Sequence, residues 1–513
     1  GGGAQGENAI WSHRWYVQLT GIGDGGPTVD GETVPLGGTQ IGQSKYWIGD
    51  YTIEPENGGV GVFAHEFGHD LGLPDLYDTS GNTGGAENST AFWTLMSSGS
   101  YGSSGRPEDG IGSKPMHLGA WEKFQLGWLD YEVAQAGQSS RHTLGPAETT
   151  SRQAQGVFVL LPDKKVPLEL GAPFAGERFF YSGSGDDLDN TMTREVTVPA
   201  GGGALAAKVR YDIEQDWDYA YLTVNGESVP TSLSTDTDPN GQNFGNGITG
   251  SSQGQWVDLT ADLSAFAGQT VTLGFRYWTD GAVAEPGFQA DNVTLDGTSV
   301  GTAESDEGWT FAGFRTTTGS EIQEFFNAYV GENRQYDGYD TSLKTAYNFS
   351  TPLTNPDRVE SYPYQNGLLL SYWNSQYTDN NVGDHPGGGL ILPIDAHPTL
   401  PHWSDGTLMR PRAASYDSTF GLEKTDAIEL HTQTLDNAGR VVDLIGSIAS
   451  QAAVPTFDDT GVWWYASDGH VKKGAHPGRY QPGWYGVDPP STGTTISVQS
   501  SSGSAMTVKV APK

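Results

Sequence analysis

The chain has 513 residues, and at about 150 residues per domain this length suggests roughly three domains. It contains no cysteine, which excludes disulfides, thiolate nucleophiles, cysteine-ligated zinc and iron–sulfur clusters. The 27 basic and 62 acidic residues give a net charge of −35, which argues against binding to nucleic acid or anionic lipid and favours a monomer. Since no stretch of about 18 apolar residues occurs, we expect no membrane insertion.

The first 140 residues show mixed patterns. The opening Gly-Gly-Gly-Ala-Gln-Gly has neither the basic nor the apolar region of a signal peptide, so we expect a chain that enters part-way through a longer precursor. Strands are predicted over 11–19 and 46–53. A helix is predicted over 60–73, where Gly72 and Pro74 end it, and a second helix over 114–129. The acidic, cysteine-free composition fits a secreted bacterial protein.

The rest of the chain is rich in predicted strands. Residues 141–175 form a connection that leads into the first of them, and residues 176–300 alternate between apolar runs and turns at the spacing of two packed antiparallel sheets. The predicted strands cover 204–213, 219–224, 256–259, 271–278 and 288–295, and Asn225-Gly226 is a hairpin turn signal. A C-terminal all-β domain is expected over 301–513.

One short motif carries most of the functional information. His65 and His69 are four residues apart on the predicted helix, so both imidazoles project from one face and can chelate one zinc ion. Glu66 stands beside the first histidine, where it can serve as the general base for a water molecule that attacks a peptide carbonyl. The pattern predicts a zinc peptidase.

Catalytic zinc requires a third protein ligand and an open coordination position. A sharp turn at Gly72 would bring Asp75 back towards the histidines, and Asp75 is the preferred candidate. Asp70 and Asp78 are alternatives, although Asp70 points away from the histidine face.

The extended motif His65-Glu66-x-x-His69-x-x-Gly72-x-x-Asp75, followed by Leu-Tyr-Asp-Thr, resembles the immune inhibitor A family of secreted bacterial metallopeptidases (M6) in the metzincin clan. Segments 10–16, 51–56, 120–129 and 377–387 are also similar to that family. The resemblance implies a multidomain α+β chain, with a metzincin-like zinc peptidase domain at 1–140, a jelly-roll, MAM-like β-sandwich at 176–300 and the C-terminal all-β domain.

Further roles follow from the resemblance. Met96 would form the methionine turn beneath the zinc, and Thr52, Ile53 and Glu54 would belong to the edge strand that pairs with an extended substrate, which implies broad specificity. Because metzincins have more sheet before the active-site helix than the 64 residues that precede His65, the catalytic domain is expected to lack upstream strands or to be N-terminally processed.

Carboxylates recur among the strands of the 176–300 region and could hold structural calcium, which prefers six to eight oxygen ligands. The candidate ligands are Asp187, Asp189, Glu214, Asp216, Asp218 and Asp291. A solvated acidic surface is the alternative. Four aromatic residues of this region could stack on sugars or belong to the core: Trp217, Tyr219, Trp256 and Trp278. A second histidine- and aspartate-rich stretch over 379–402 could bind a metal or be a structured loop.

The sequence therefore predicts a secreted zinc endopeptidase that acts on protein or peptide substrates. The rival hypothesis is a calcium-dependent adhesin or glycan-binding protein with a vestigial zinc site. A third possibility keeps the peptidase and gives it glycoprotein substrates, with glycan contact through the β-sandwich.

Overall fold

The computed structural model describes most of the chain and is mostly β, with 38% strand and 10% helix. The described residues are 10, 12–17, 28–29, 32–33, 38–56, 58–81, 86–104, 110, 112–281, 283–345, 363–435, 438–467, 480–502 and 504–513. They divide into two compact units, one made of residues 1–164 and 325–513 and the other of residues 165–324. None of the helices in these ranges is long and apolar enough to cross a bilayer.

The first unit begins with short strands and the helix of the zinc motif. Its early elements are β1 (His13–Tyr16), β2 (Thr28–Val29), β3 (Glu32–Thr33), β4 (Thr39–Gln40), β5 (Trp47–Ile48), β6 (Asp50–Ile53), α1 (Val60–Asp70), α2 (Ala120–Gln125), β7 (Tyr131–Gln135), β8 (Ser140–Leu144) and β9 (Gly156–Leu160). β1 pairs with β6 in antiparallel register. The strand predicted over 11–19 is observed at 13–16, while residues 11 and 18–19 lie outside the described part of the chain.

Helix α1 confirms the predicted helix but presents a different face to the interior. Phe63, Phe67 and Leu71 are exposed, and the helix packs instead through its glycines. A Cβ at Gly61 would overlap the Ser100 carbonyl oxygen, and one at Gly68 would lie 2.5 Å from the Met96 sulfur. The small residues let the helix backbone approach the segment beneath it closely.

The second predicted helix, over 114–129, is wrong in extent. Only Ala120–Gln125 is helical, because Lys114 and Met116 instead donate backbone hydrogen bonds to the carbonyl oxygens of Gly102 and Gly99, both at 3.0 Å. At the other end Gly127 adopts φ +71°, which stops the helix.

The second unit contains two antiparallel sheets that share one core. Its elements are β10 (Lys164–Glu169), β11 (Phe179–Tyr181), β12 (Asp189–Thr197), β13 (Ala204–Ile213), β14 (Tyr219–Val224), β15 (Glu227–Ser228), β16 (Gly250–Ser251), β17 (Val257–Asp262), β18 (Thr270–Trp278), β19 (Gly287–Leu295), β20 (Thr298–Gly301), β21 (Thr310–Ala312), β22 (Arg315–Thr317) and β23 (Ser320–Phe325). One sheet has the order β16-β13-β19-β11-β22, with β17 also on β13 and β20 on β19; the other has the order β15-β14-β18-β12-β21. The predicted hairpin at Asn225-Gly226 is confirmed, since Val224 pairs with Glu227.

The first unit continues after the second one. Its later elements are β24 (Asn327–Arg334), β25 (Gly367–Asn374), β26 (Ile391–Pro393), α3 (Pro411–Ala414), β27 (Ile428–Leu435), β28 (Val441–Ile448), β29 (Thr456–Asp458), β30 (Thr494–Ser501) and β31 (Met506–Pro512). They complete a five-stranded sheet of order β26-β25-β24-β9-β7 and a four-stranded sheet of order β29-β30-β31-β8. β27 and β28 pair only with each other in the described residues.

This strand pairing differs from the predicted division of the chain at 140 and 301. β9 pairs with β24 and β8 pairs with β31, and β7 joins the same sheet through β9, so residues 325–513 and 1–164 form one unit rather than two. Local patterns could not reveal this arrangement, because a strand pattern does not identify the partner strand. The domain functions assigned to those segments remain predictions.

Candidate metal centre

The Nε2 atoms of His65 and His69, both on helix α1, point towards the same position. The Nδ1 atom of His65 lies 2.9 Å from the carbonyl oxygen of Leu95, and that of His69 lies 2.7 Å from the carbonyl oxygen of Leu73. Because each Nδ1 donates its proton to a carbonyl, each Nε2 keeps its lone pair. The ring centroids are 4.8 Å apart.

A tight turn after α1 brings Asp75 back to the histidines. Gly72 adopts φ +90°, and the backbone nitrogens of Gly72 and Leu73 donate to the carbonyl oxygens of His69 and Gly68 at 2.9 and 3.0 Å. This is a Schellman motif, which favours glycine at the left-handed position. It places Asp75 Oδ1 3.1 Å from His65 Nε2 and 3.2 Å from His69 Nε2.

The chemistry of these three donors suits a divalent cation. Asp75 Oδ1 is buried and has no hydrogen-bond partner among the described residues, while all three candidate ligand atoms lie within 4.8 Å of one another. Two imidazole nitrogens and one carboxylate oxygen form a donor set that zinc accepts, and tetrahedral zinc takes one ligand more than these three.

The other two aspartates considered from the sequence have different partners. Asp70 faces Arg14, with Oδ1 3.5 Å from the guanidinium Nε. Asp78 accepts hydrogen bonds from the backbone nitrogens of Ser80, at 3.0 Å, and of Gly383, at 2.6 Å. Neither belongs to the cluster of three.

Glu66 occupies the position next to the cluster. It follows His65 on α1 and is only 6% exposed. Burial raises the pKa values of Glu54 and Tyr101, and the charge of Glu66 adds to both effects, so these three side chains share one electrostatic environment.

Comparisons with known proteins match most of this chain to the domains of one family. The model of the immune inhibitor A peptidase M6 catalytic domain matches residues 1–129, that of the immune inhibitor A-like MAM domain matches 140–319, and that of the immune inhibitor A-like metallopeptidase VEG domain matches 322–460. The chain belongs to the immune inhibitor A-like metallopeptidase family.

Two curated relatives align along most of the chain. Pre-pro-metalloprotease PrtV of Vibrio cholerae serotype O1 is 35% identical over 481 residues, which is 90% of this chain and 49% of PrtV. Immune inhibitor A of Bacillus thuringiensis subsp. alesti is 34% identical over 458 residues, which is 85% of this chain and 61% of the relative. The chain thus spans about half to three fifths of the length of these relatives.

Met96, predicted from this family resemblance to lie under the zinc, is fully buried beneath α1. Its sulfur lies against Gly68, which stands between the two histidines on the helix. The backbone carbonyl of Met96 also accepts a hydrogen bond from Leu76 at 2.8 Å. The segment therefore contacts both the helix and the turn that carries Asp75.

The predicted substrate edge lies on β6. Thr52 and Ile53 are in this strand and exposed, while Glu54 follows it with both carboxylate oxygens buried. Among the described residues, β6 pairs with β1 only, so its other edge carries no strand.

Two tyrosines at the site were missed from the sequence. Tyr77 hydrogen-bonds the Asp75 carboxyl and stacks on His65 with ring centroids 6.3 Å apart. Burial and the charge of Asp75 raise the pKa of Tyr77, so its hydroxyl stays protonated. Tyr101 lies where the charges of Asp75 and Glu66 both act on it. Tyr77 stands two residues after Asp75, and this proximity was the available signal.

The predicted calcium ligands only partly converge. Glu214 and Asp218 meet Asp280, which the sequence analysis missed, with oxygens within 4.8 Å of one another. Asp218 Oδ2 is buried without a hydrogen-bond partner in the described structure. Asp187 lies next to this cluster, since its backbone nitrogen donates to the Asp280 carbonyl at 2.6 Å.

Three other predicted ligands have separate partners. Asp189 pairs with Arg276 at 2.6 Å. Asp291 accepts the backbone N–H groups of Ala175 and Asn292 at 3.0 and 2.6 Å. Asp216 accepts a hydrogen bond from the neighbouring Gln215 at 3.2 Å. Their spacing along the chain gave no information about these partners.

The second histidine- and aspartate-rich stretch and Tyr219 have partners within the protein. His397 lies with the buried Asp395 and Asp417, their candidate ligand atoms within 4.8 Å of one another, while its ring nitrogens face the carbonyl oxygens of Asp417 at 2.8 Å and of Ala452 at 3.0 Å. His385 lies between Asp379 and the Gly388 carbonyl. Tyr219 is fully buried in the second unit and cannot stack on a sugar.

Proposed function

We propose that the chain is a zinc-dependent endopeptidase of broad specificity, with His65, His69 and Asp75 as the zinc ligands and a metzincin-like catalytic fold. The observation that carries the proposal is the convergence of two imidazole lone pairs on a buried carboxylate oxygen that has no hydrogen-bond donor among the described residues. Zinc bound there would polarise the scissile carbonyl and lower the pKa of water to about 7.

The residues of the chain then have distinct tasks. The Glu66 carboxylate takes the proton from the attacking water and passes it to the nitrogen of the leaving amine. The two carbonyl partners, Leu95 and Leu73, keep the imidazoles in the tautomer that presents Nε2. The protonated Tyr77 hydroxyl holds the Asp75 carboxyl in place.

The edge of β6 that carries no strand among the described residues supports a broad choice of substrates. An extended peptide that pairs with Thr52 and Ile53 would be held by backbone hydrogen bonds, which do not depend on its side chains. Protein or peptide substrates are expected, in an extracellular setting and with the chain acting as a monomer.

The decisive experiment is the substitution Glu66→Gln, because it keeps the shape of the side chain and removes the base. We expect wild-type zinc content and a loss of casein hydrolysis of at least about 100-fold, the usual contribution of a general base. The exposed Glu56→Gln is the matched control and should cleave normally. Undiminished cleavage by Glu66→Gln would refute the mechanism.

We also propose a structural calcium ion in the second unit, held by Glu214, Asp218 and Asp280. Its support is a buried Asp218 oxygen that has no hydrogen-bond partner in the described part of the chain, among three converging carboxylates. Calcium requires further oxygen ligands, which water and nearby carbonyl groups can provide. The jelly-roll assignment and glycan contact by this unit also stay proposals. Glycan binding that persists after zinc removal, without any proteolysis, would favour the adhesin alternative.

A further inference from the structure

The metal centre rests on a floor segment made of residues 93–96, directly beneath helix α1. This floor segment supplies the Leu95 carbonyl that fixes His65 and the Met96 side chain that fills the space under Gly68. Trp93 ends one short 3₁₀ turn and Ser98 begins another, and between them the Thr94 carbonyl accepts the backbone N–H of Ser97 at 3.2 Å. Side chains from outside the segment add further contacts to this turn.

The Thr94 side chain makes two contacts that fix the floor segment. Its hydroxyl donates a hydrogen bond to the Glu122 carboxylate and accepts one from the backbone nitrogen of Met96 at 3.2 Å. Glu122 is buried at the start of α2. Because the Thr94 hydroxyl both donates and accepts a hydrogen bond, it restrains the backbone at Thr94 and at Met96, on either side of Leu95.

Arg334 also contacts the floor segment, at Trp93. This residue ends strand β24, and its Nη1 donates to the Trp93 carbonyl oxygen at 2.8 Å. Its other contacts are with Asp340, with Glu332 at 3.4 Å and with Glu148 at 3.6 Å. The guanidinium is 1% exposed, and although burial opposes its charge, these carboxylates hold the pKa of Arg334 above its usual value.

Two of these carboxylates also accept hydrogen bonds from nearby backbone N–H groups. Glu332 accepts the backbone N–H of Ala120 at 3.0 Å, and Asp340 accepts that of His117 at 2.7 Å. A buried charged network is an inefficient source of stability, because desolvation cancels much of its attraction. It is suited to fixing atoms in one arrangement, since every charge must keep its partner.

We propose that Thr94, Glu122 and Arg334 are positioning residues of the metal centre. Through the floor segment they hold the Leu95 carbonyl where it accepts the Nδ1 proton of His65, so that Nε2 faces the metal. This role rests on the proposed function, because it assumes that His65 is a ligand.

The test replaces the Thr94 hydroxyl without changing the side-chain shape. We expect Thr94→Val to weaken zinc affinity about 10- to 100-fold, as loss of outer-shell support does, and to alter the visible absorption of the cobalt-substituted protein. Its kcat should fall while KM changes little. Thr94→Ser keeps the hydroxyl and should restore most of the zinc affinity.

A matched control separates positioning from stability. Thr425 is also a buried threonine of the first unit, and its Oγ1 accepts a backbone hydrogen bond from Gln451 at 2.7 Å. Thr425→Val should lower the melting temperature and leave the cobalt spectrum unchanged. If Thr94→Val behaves in the same way, the positioning role is wrong.

Two other outcomes are distinguishable. If Thr94→Val does not fold, Glu122→Gln provides the second variant, because it keeps the volume and weakens the acceptor. A wild-type cobalt spectrum and zinc affinity in that variant would overturn the inference. Failure of the wild-type protein to bind zinc or cobalt would instead refute the proposed function, and with it this role.

Discussion

The Asp75 carboxylate differs from its neighbours in what surrounds it. Its Oδ1 is enclosed by two imidazole nitrogens and has no donor within the described structure, whereas Asp70 faces Arg14 and Asp78 caps backbone N–H groups. A buried anionic oxygen without a donor is costly unless a cation joins it. This difference in surroundings distinguishes three aspartates that lie within nine positions of one another.

This difference predicts the result of exchanging each aspartate for asparagine. Asp75→Asn should lower zinc affinity by more than about 100-fold, the upper range for loss of outer-shell contacts, because it removes an anionic ligand. Asp70→Asn and Asp78→Asn should bind zinc normally. Competition titration with a chromophoric chelator measures all three, and weakened binding in Asp70→Asn alone would reassign the third ligand.

At the scale of elements, helix α1 depends on its contact with Met96. The absence of a side chain at Gly68 leaves room for the Met96 sulfur, which a Cβ would approach to 2.5 Å. Met96 is fully buried, so it cannot move aside freely. Glycine at position 68 lowers the intrinsic stability of the helix but permits close packing against Met96.

Gly68→Ala should therefore destabilise the protein although alanine favours helices. The intrinsic gain is about 1 kcal/mol, and overpacking costs about 1–3 kcal/mol. We expect the free energy of unfolding to fall by up to about 2 kcal/mol, measured by denaturant titration. In a Met96→Ala background the same change should be neutral or stabilising, and equal effects in both backgrounds would exclude the steric explanation.

Element prediction succeeded where local patterns dominate. Strands β13 and β14 and the hairpin after β14 match the sequence, because alternation and the Asn225-Gly226 turn are local signals. The second helix was predicted too long, since backbone contacts of Lys114 and Met116 with distant carbonyl groups override a local apolar pattern.

At the scale of the whole molecule, the Asp218 carboxyl of the proposed calcium site makes the free energy of unfolding depend on pH. Burial raises the pKa of Asp218 to about 7. Without a cation the folded chain holds this proton more tightly than the unfolded chain does. The free energy of unfolding therefore falls as the pH rises from about 4 to about 7.

Calcium should offset this loss and compete with the proton. We expect calcium to raise the melting temperature relative to EGTA more at about pH 8 than at about pH 5. Asp218→Asn should abolish the calcium shift, whereas Asp189→Asn, whose side chain pairs with Arg276, should retain it. Scanning calorimetry measures both, and a calcium shift that persists in Asp218→Asn would rule out this site.

The sequence by itself determined the metal motif, its helix, the Gly72 turn and the strand-rich character of the chain. These features depend on contacts between residues a few positions apart, and spacing encodes such contacts directly. Membership of the family followed from the same residues.

Only the tertiary structure decided which side chains meet across long separations. It paired β9 with β24 and β8 with β31, brought Asp280 to Glu214 and Asp218, and placed Arg334 against the floor segment. The physical reason is that pairing and burial depend on the partners a chain finds on folding. A carboxylate or a strand has the same local pattern whichever partner it takes.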